Sequence, residues 1–273
     1  MASSDPWGKT DQMEDAVLDG MVTRLEARGK FGPFMKMLDE YLGAMEIDGK
    51  QDVLDLGCGT GIVARTIAAR GGFSGKVLGI DLSPYLVEAA ARLAGEEGLS
   101  QRVAFEPGDT RSLELRDGRF DAVVAHTLLS HLGDPFSVLQ DIARVVKSGG
   151  VVGIFDGDYG SRSYAQEDLE KMKRDNEIVT SAVVASPYVM RLMPRYLRRA
   201  GLELTACFPY VLAEIGQADY WGSAIESNRS LLPAAGAMTK EQADIWADEL
   251  LGSSQDGVFF GACNFYAYVA TKP

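Results

Sequence analysis

The nine residues Val53-Leu54-Asp55-Leu56-Gly57-Cys58-Gly59-Thr60-Gly61 constrain this chain more than any other stretch, because they read as a buried strand ending in a turn made almost entirely of glycine. Gly57, Gly59 and Gly61 can take positive φ and let a ligand approach the backbone closely. The apolar run from Ile62 to Ala69 reads as a helix that starts directly after the turn, so its unpaired amides and the positive end of its dipole face the same spot. Such a turn suits a nucleotide-type cofactor, and its spacing narrows the choice. A dinucleotide fingerprint is Gly-x-Gly-x-x-Gly, with a pyrophosphate on the helix N-terminus; here Ile62 occupies the third glycine position. Asp55 also stands two residues before Gly57, where a carboxylate would repel a pyrophosphate and attract a cation. A ligand bearing an ammonium group fits better.

Further strands follow at regular intervals. Lys76-Val77-Leu78-Gly79-Ile80-Asp81 places an acid at a strand end 20 positions beyond Gly61, where it can accept both hydroxyls of a ribose; Ser83 and Pro84 then read as N-cap and first residue of a helix. Val103 to Glu106 is a third strand, leading into Gly108-Asp109-Thr110. Phe120 to Ala125 is a fourth, opening into His126-Thr127-Leu128-Leu129-Ser130-His131. A helix from about Asp134 to Val146 ends at Gly149-Gly150, before a fifth strand, Val151 to Phe155. Strands alternating with helices in this way require a parallel sheet with right-handed crossovers and a ligand over the strands' carboxyl ends.

The pattern Asp-x-Gly-Cys-Gly-Thr-Gly at 55–61 resembles the first motif of the class I S-adenosylmethionine-dependent methyltransferases, and the resemblance runs through about residues 51 to 160 with a ubiquinone-biosynthesis-like core. It implies an α/β fold, a Rossmann-like doubly wound sheet of seven strands, mostly parallel with one reversed. The reversed strand would be the last, about Val258 to Thr271, lying between strand five and the strand from about Leu202 to Ala213. It implies S-adenosylmethionine as cofactor, held by Asp55, Gly57, Cys58, Gly59 and Gly61, by Asp81 and Leu82 at the ribose, by Asp109 and Thr110 at the adenine, and by the backbone of His126. Cys58 fits the turn as a small side chain, not as a nucleophile.

Three regions follow from this reading: an N-terminal helical lid (1–47), the cofactor core (48–160), and helical insertions with the C-terminal antiparallel strands of the same domain (161–273). The first region holds two helices separated by Gly29 to Pro33; Trp7 and the first helix would shield the methyl group, while the second packs on the sheet. Beyond strand five, helices are expected from about Gln166 to Thr180, then a stretch interrupted or restarted at Pro194, then two parts around Leu232-Pro233. The insertions, about 156–200 and 214–257, would carry substrate identity.

A net charge of -12 argues against nucleic acid or an anionic membrane surface as partner. The start, Met1 to Trp7, lacks the basic and apolar regions of a signal peptide, and three scattered cysteines suit a reducing compartment, so a cytoplasmic location is expected. The expected partner is a small-molecule methyl acceptor. Its transfer chemistry asks for alignment and, at a hydroxyl, phenol or acidic carbon, for a base. Both histidines of the chain fall in one six-residue window, at 126 and 131, which makes them the catalytic candidates; His126 can equally serve through its backbone, and His131 as a packing residue. Asp156 and Asp158 are expected to line the acceptor pocket or a turn, with Tyr159 donating a hydrogen bond there, and no metal site is expected. Arg191, Arg195, Arg198 and Arg199 read either as a receptor for an acidic substrate or as a solvated helix end. The loop after strand four lacks the Asp/Asn-Pro-Pro-Tyr/Phe pattern of base methylation. Two other readings share parts of the pattern: a protein of this fold that uses the cofactor for a cyclisation or rearrangement, and an NAD(P)-dependent oxidoreductase, which Ile62 and Asp55 disfavour.

Overall fold

The structure is a computed structural model, and it describes residues 5–273. The glycine-ended strand, β1 (Asp52–Leu56), lies inside a seven-stranded sheet, third from one edge. To one side lie β2 (Lys76–Asp81) and β3 (Val103–Pro107), both parallel to it. On the other side lies β4 (Phe120–His126), then β5 (Val146–Tyr164), again parallel. The order is completed by β7 (Phe259–Thr271), antiparallel to both neighbours, and β6 (Glu203–Gly216) at the edge. The single reversed strand is where the resemblance placed it. Because the chain leaves β1 toward β2 on one side and returns to β4 on the other, the switch point lies between β1 and β4, and a crevice opens at their carboxyl ends.

Alternation along the strands sends side chains to two separate cores. Val53, Val77, Val124 and Phe155 meet α2 (Gly32–Ala44) and α3 (Ile62–Ala69) on one face. Leu54, Ile80, Val123 and Ile154 meet α5 (Pro135–Val145) and α7 (Val189–Arg199) on the other. α4 (Pro84–Glu96) starts where Ser83 Oγ accepts from the Leu86 amide at 3.3 Å, and α5 where Asp134 accepts from Ser137. At the N-terminus a 3₁₀ segment (Pro6–Gln12) and α1 (Asp15–Lys30) lie across the carboxyl end of the sheet. α2 buries Phe34, Met37, Leu38, Tyr41 and Leu42, as a helix packed on the sheet does.

Three boundaries differ from the sequence reading. Strand five does not stop at Phe155: it continues to Tyr164, because β7 pairs with Asp156, Gly157 and Asp158 and resumes at Ser163 and Tyr164. The residues Asp156 to Ser161 have turn chemistry, and tertiary pairing overrides it. The first insertion is therefore α6 (Leu169–Val183) and α7, and α7 runs through Pro194 without a break. The second insertion is α8 (Tyr220–Ala234), with Pro233 in its last turn, and α9 (Lys240–Gln255). Among the described residues no helix is long and apolar enough to cross a membrane.

Candidate active site

Because Val53 faces α3, the residue two positions on does too, and that residue is Asp55. Its Oδ2 accepts from the Ala64 amide in the first turn of α3 at 3.0 Å, while Oδ1 is buried with no partner. Burial raises its pKa to about 7, with the Ala64 hydrogen bond opposing and the charge of Asp81 adding to the rise. The turn that follows holds Gly57 at φ +72° and Gly61 at φ +76°; a Cβ at Gly57 would lie 2.8 Å from Leu128 Cδ1, and one at Gly61 2.5 Å from the Phe105 ring. Only glycine leaves this cradle open.

The turn is pinned to the neighbouring strand. Gly57 and Cys58 donate to the Ile80 carbonyl, and the Gly59 amide donates to Asp81 Oδ2 at 2.8 Å. Asp81 Oδ1 accepts from Ser83. Burial raises the Asp81 pKa above its ordinary value. Cys58 is a buried thiol whose pKa is pushed well up by burial and by Asp55 and Asp81, so it stays protonated. Leu82, Asp109 and Thr110 line the adjoining stretch of the cleft with Asp81. The Asp109 carboxylate is bound by Arg111 at 2.8 and 3.0 Å, which lowers its pKa.

The structure separates the two histidines. His126 is stacked on Phe155 at 4.4 Å between ring centroids, and its Nδ1 lies 2.9 Å from the Tyr41 hydroxyl. Burial, reinforced by the charge of Arg28, lowers its pKa well below the usual range, so the imidazole is neutral and a weak base. His131 ends a 3₁₀ turn, Leu129–His131, and its Nδ1 lies 2.8 Å from Oδ2 of the buried Asp5. Asp5 also accepts from the Trp7 and Ala185 amides. The Trp7 ring is 5.9 Å from the His131 ring, and both border the cleft above the glycine turn.

Asp156 does not line the cavities around the cleft. It is fully buried and accepts from the Ser130 amide and hydroxyl, both at 2.9 Å, and from the Gly157 amide at 2.8 Å. A buried carboxylate needs donors, and those from Ser130 tie Asp156 to the turn that carries His131. Tyr159 does line the cavity next to His131, with a phenol kept protonated by burial and by Asp156. The helix-end arginines lie elsewhere: Arg191 pairs with Asp158, Arg199 stacks on Phe136, and Arg195 and Arg198 are exposed.

One residue absent from the sequence reading stands out. Arg28 donates to Thr127 Oγ1 at 2.9 Å and lies over the Phe34 ring, while its Nε and Nη2 are buried with no acceptor. Leu18, Met21, Leu25 and Arg28 share one helical stripe of α1, so an arginine in a buried stripe was the available signal.

Residues 53–150 match the family model described as a methyltransferase domain. Over 162 residues the chain is 32% identical to a ubiquinone biosynthesis O-methyltransferase of Nitrosomonas europaea, covering 59% of each. Over 94% of its length it is 30% identical to an uncharacterized 37.1 kDa protein in transposon TN4556 of Streptomyces fradiae, of which it spans 71%. Residues 53–150 belong to the methyltransferase domain family, of the class I S-adenosylmethionine-dependent kind. A solved geranyl diphosphate methyltransferase in complex with SAM shares the fold, with a TM-score of 0.52 over 86% of this chain and 84% of that one at 18% identity.

The cofactor of this methyltransferase family is S-adenosylmethionine, and the residues present fit it. A zwitterionic amino acid needs an unpaired carboxylate and an unpaired guanidinium, and Asp55 Oδ1 and Arg28 Nη2 border the same cleft. The glycine cradle admits the ligand against backbone, and the acid at the tip of β2 is placed for ribose hydroxyls.

Proposed function

We propose that the protein transfers a methyl group from S-adenosylmethionine to a small molecule with a dissociable proton, a hydroxyl or phenol, without a metal ion. The observation that carries this is the His131–Asp5 pair at the mouth of the glycine-turn cleft. When bound, the cofactor supplies an electrophilic methyl carbon on a sulfonium. Asp55 would bind its ammonium, Arg28 its carboxylate, Asp81 with Leu82 its ribose, and Asp109 with Thr110 its adenine. His131 then takes the acceptor proton at Nε2, because Nδ1 is held by Asp5; the carboxylate fixes the ring and stabilises the imidazolium that forms. Asp156 acts through Ser130 as a positioning residue. Tyr159 donates to the acceptor, and His126 packs as a neutral ring beneath it. Trp7 and α1 form the lid that excludes water. Among the described residues no three His, Cys, Asp or Glu side chains are grouped to hold a metal.

The test is incubation with methyl-labelled cofactor and a panel of phenolic and aliphatic hydroxy metabolites, followed by mass spectrometry. Label in a methyl ether supports the reading. A substrate converted while label stays on the cofactor would replace it with a cyclisation or rearrangement.

A further inference from the structure

Beside the methyl end of the cleft lies a second cavity, built by elements outside the cofactor core: α1, α8 and the extension of β5 beyond the expected end of that strand. From α8 it receives Trp221, Ala224, Asn228 and Leu231, one helical stripe; from β5 it receives Tyr159 and Arg162; from α1, Arg24 and Arg28. Three guanidiniums border it and no carboxylate does. Arg28 is accounted for by the cofactor, which leaves Arg24 and Arg162.

This is an anomaly in a chain carrying 39 acidic and 27 basic side chains. Elsewhere its part-buried arginines are paired at least twice: Arg65 with Glu26 and Glu97, Arg70 with Asp39 and Asp48, Arg144 with Asp117 and Asp141, Arg229 with Glu226, Asp244 and Asp248. Arg162 is 9% exposed and none of the ion pairs among the described residues includes it; its Nη2 is buried without an acceptor, and its guanidinium lies 5.7 Å from the centre of the Tyr159 ring. An unpaired buried guanidinium is destabilising unless something arrives to pair it. Two neighbouring groups are also unpaired: the Trp221 indole N–H, a donor on the cavity lining, is buried with no acceptor, and the Tyr164 hydroxyl, which packs edge-on to that indole and can donate, is buried with no partner. Both arginines lie close enough to Tyr164 to oppose the rise that burial imposes on its pKa. A wall of donors lacking acceptors is complementary to a group that only accepts. The rest of the lining, Trp7, Tyr159, Tyr220 and Phe265, is aromatic.

We propose that the methyl acceptor is an anion: an aromatic or apolar body bearing a carboxylate or phosphate, its oxyanion received by Arg162 and Arg24 at the end of the cavity away from the cofactor. This rests on the methyl-transfer reading and names the substrate class for that site. Burying the oxyanion against fixed donors would orient the acceptor's nucleophile toward His131 and the methyl group, so binding at one end sets alignment at the other.

The experiment measures binding and needs no turnover. The protein is loaded with S-adenosylhomocysteine, whose affinity is recorded by calorimetry, and is then titrated with indole-3-acetate, phenyl phosphate and the neutral indole-3-acetamide. At least one anion is expected to bind about tenfold or more tightly than the amide; which of the two does so decides between carboxylate and phosphate. R162M should abolish the preference, R162K should retain part of it, and the exposed R195M should change nothing. R24M is the second variant, read if R162M fails to fold by circular dichroism. Equal binding of the amide, no binding of either anion, or a preference that survives R162M or R24M overturns the proposal. Failure of S-adenosylhomocysteine to bind would count against the methyltransferase reading instead, and the anions are then titrated into the unloaded protein.

Discussion

Nδ1 of His131 lies 2.8 Å from Oδ2 of Asp5, joining a turn after the fourth strand to a residue 126 positions earlier in the chain. The carboxylate is almost wholly buried and the imidazole borders the cleft. The contact ties the N-terminal segment to the imidazole, so in the proposed mechanism one carboxylate holds both the covering segment and the base. His131→Gln should lower kcat about a hundredfold. Asp5→Asn should lower kcat by about tenfold or more with little change in KM for the cofactor. Steady-state kinetics check both, and a loss confined to KM would reduce Asp5 to a packing role.

Asp55 makes cofactor binding depend on pH. With its pKa raised to about 7 from an ordinary 3.8, the unliganded folded protein holds a proton there below about pH 7, whereas an ammonium ligand requires the carboxylate. Binding should therefore release up to one proton between those values and weaken as pH falls through 7. Calorimetry in buffers of different ionisation enthalpy measures this, and Asp55→Asn should remove the release while weakening affinity about tenfold to a hundredfold.

The same shift has a stability consequence of defined sign. A carboxyl whose folded pKa lies above its unfolded one favours folding at low pH and loses that contribution as pH rises through about 7. Thermal melts of the unliganded protein should show Asp55→Asn gaining on wild type at alkaline pH relative to acid pH. No change in the difference would mean that Asp55 is not titrating in the fold.

Arg28 has two buried nitrogens without acceptors and one hydrogen bond, to Thr127. Arg28→Met should raise the Kd for S-adenosylhomocysteine about tenfold, through loss of a charge-assisted contact. Equilibrium binding checks it, and an unchanged Kd would place the cofactor carboxylate elsewhere.

Gly61→Ala should cost about 1 to 3 kcal/mol, since the added methyl meets the Phe105 ring at a φ that L residues rarely adopt. Urea unfolding with an unchanged m-value would report it, and cofactor affinity should fall along with stability.

Local pattern places the residues around the glycine-turn cleft because they are consecutive in the chain. Asp55 and the glycines share one strand–turn–helix, and Asp81 ends the next strand. Their geometry follows from strand alternation and positive φ, which are short-range properties. Asp156 shows where that logic stops: its strand is legible, but the Ser130 amide and hydroxyl that it accepts from lie 26 residues away. Arg191 read as a candidate anion receptor, and Asp158 neutralises it.

The sequence by itself determined the parallel core, the reversed last strand expected from the family motif, and the acids at successive strand tips, because hydrophobic period and glycine placement act over a few residues. Only the tertiary structure decided which histidine has a carboxylate, which arginines have none, and that β5 runs on past Phe155 to carry Tyr159 and Arg162 into the second cavity. Those outcomes depend on pairs far apart in the chain, Asp5 with His131 and Gly157 with Phe265, whose partners no local pattern specifies.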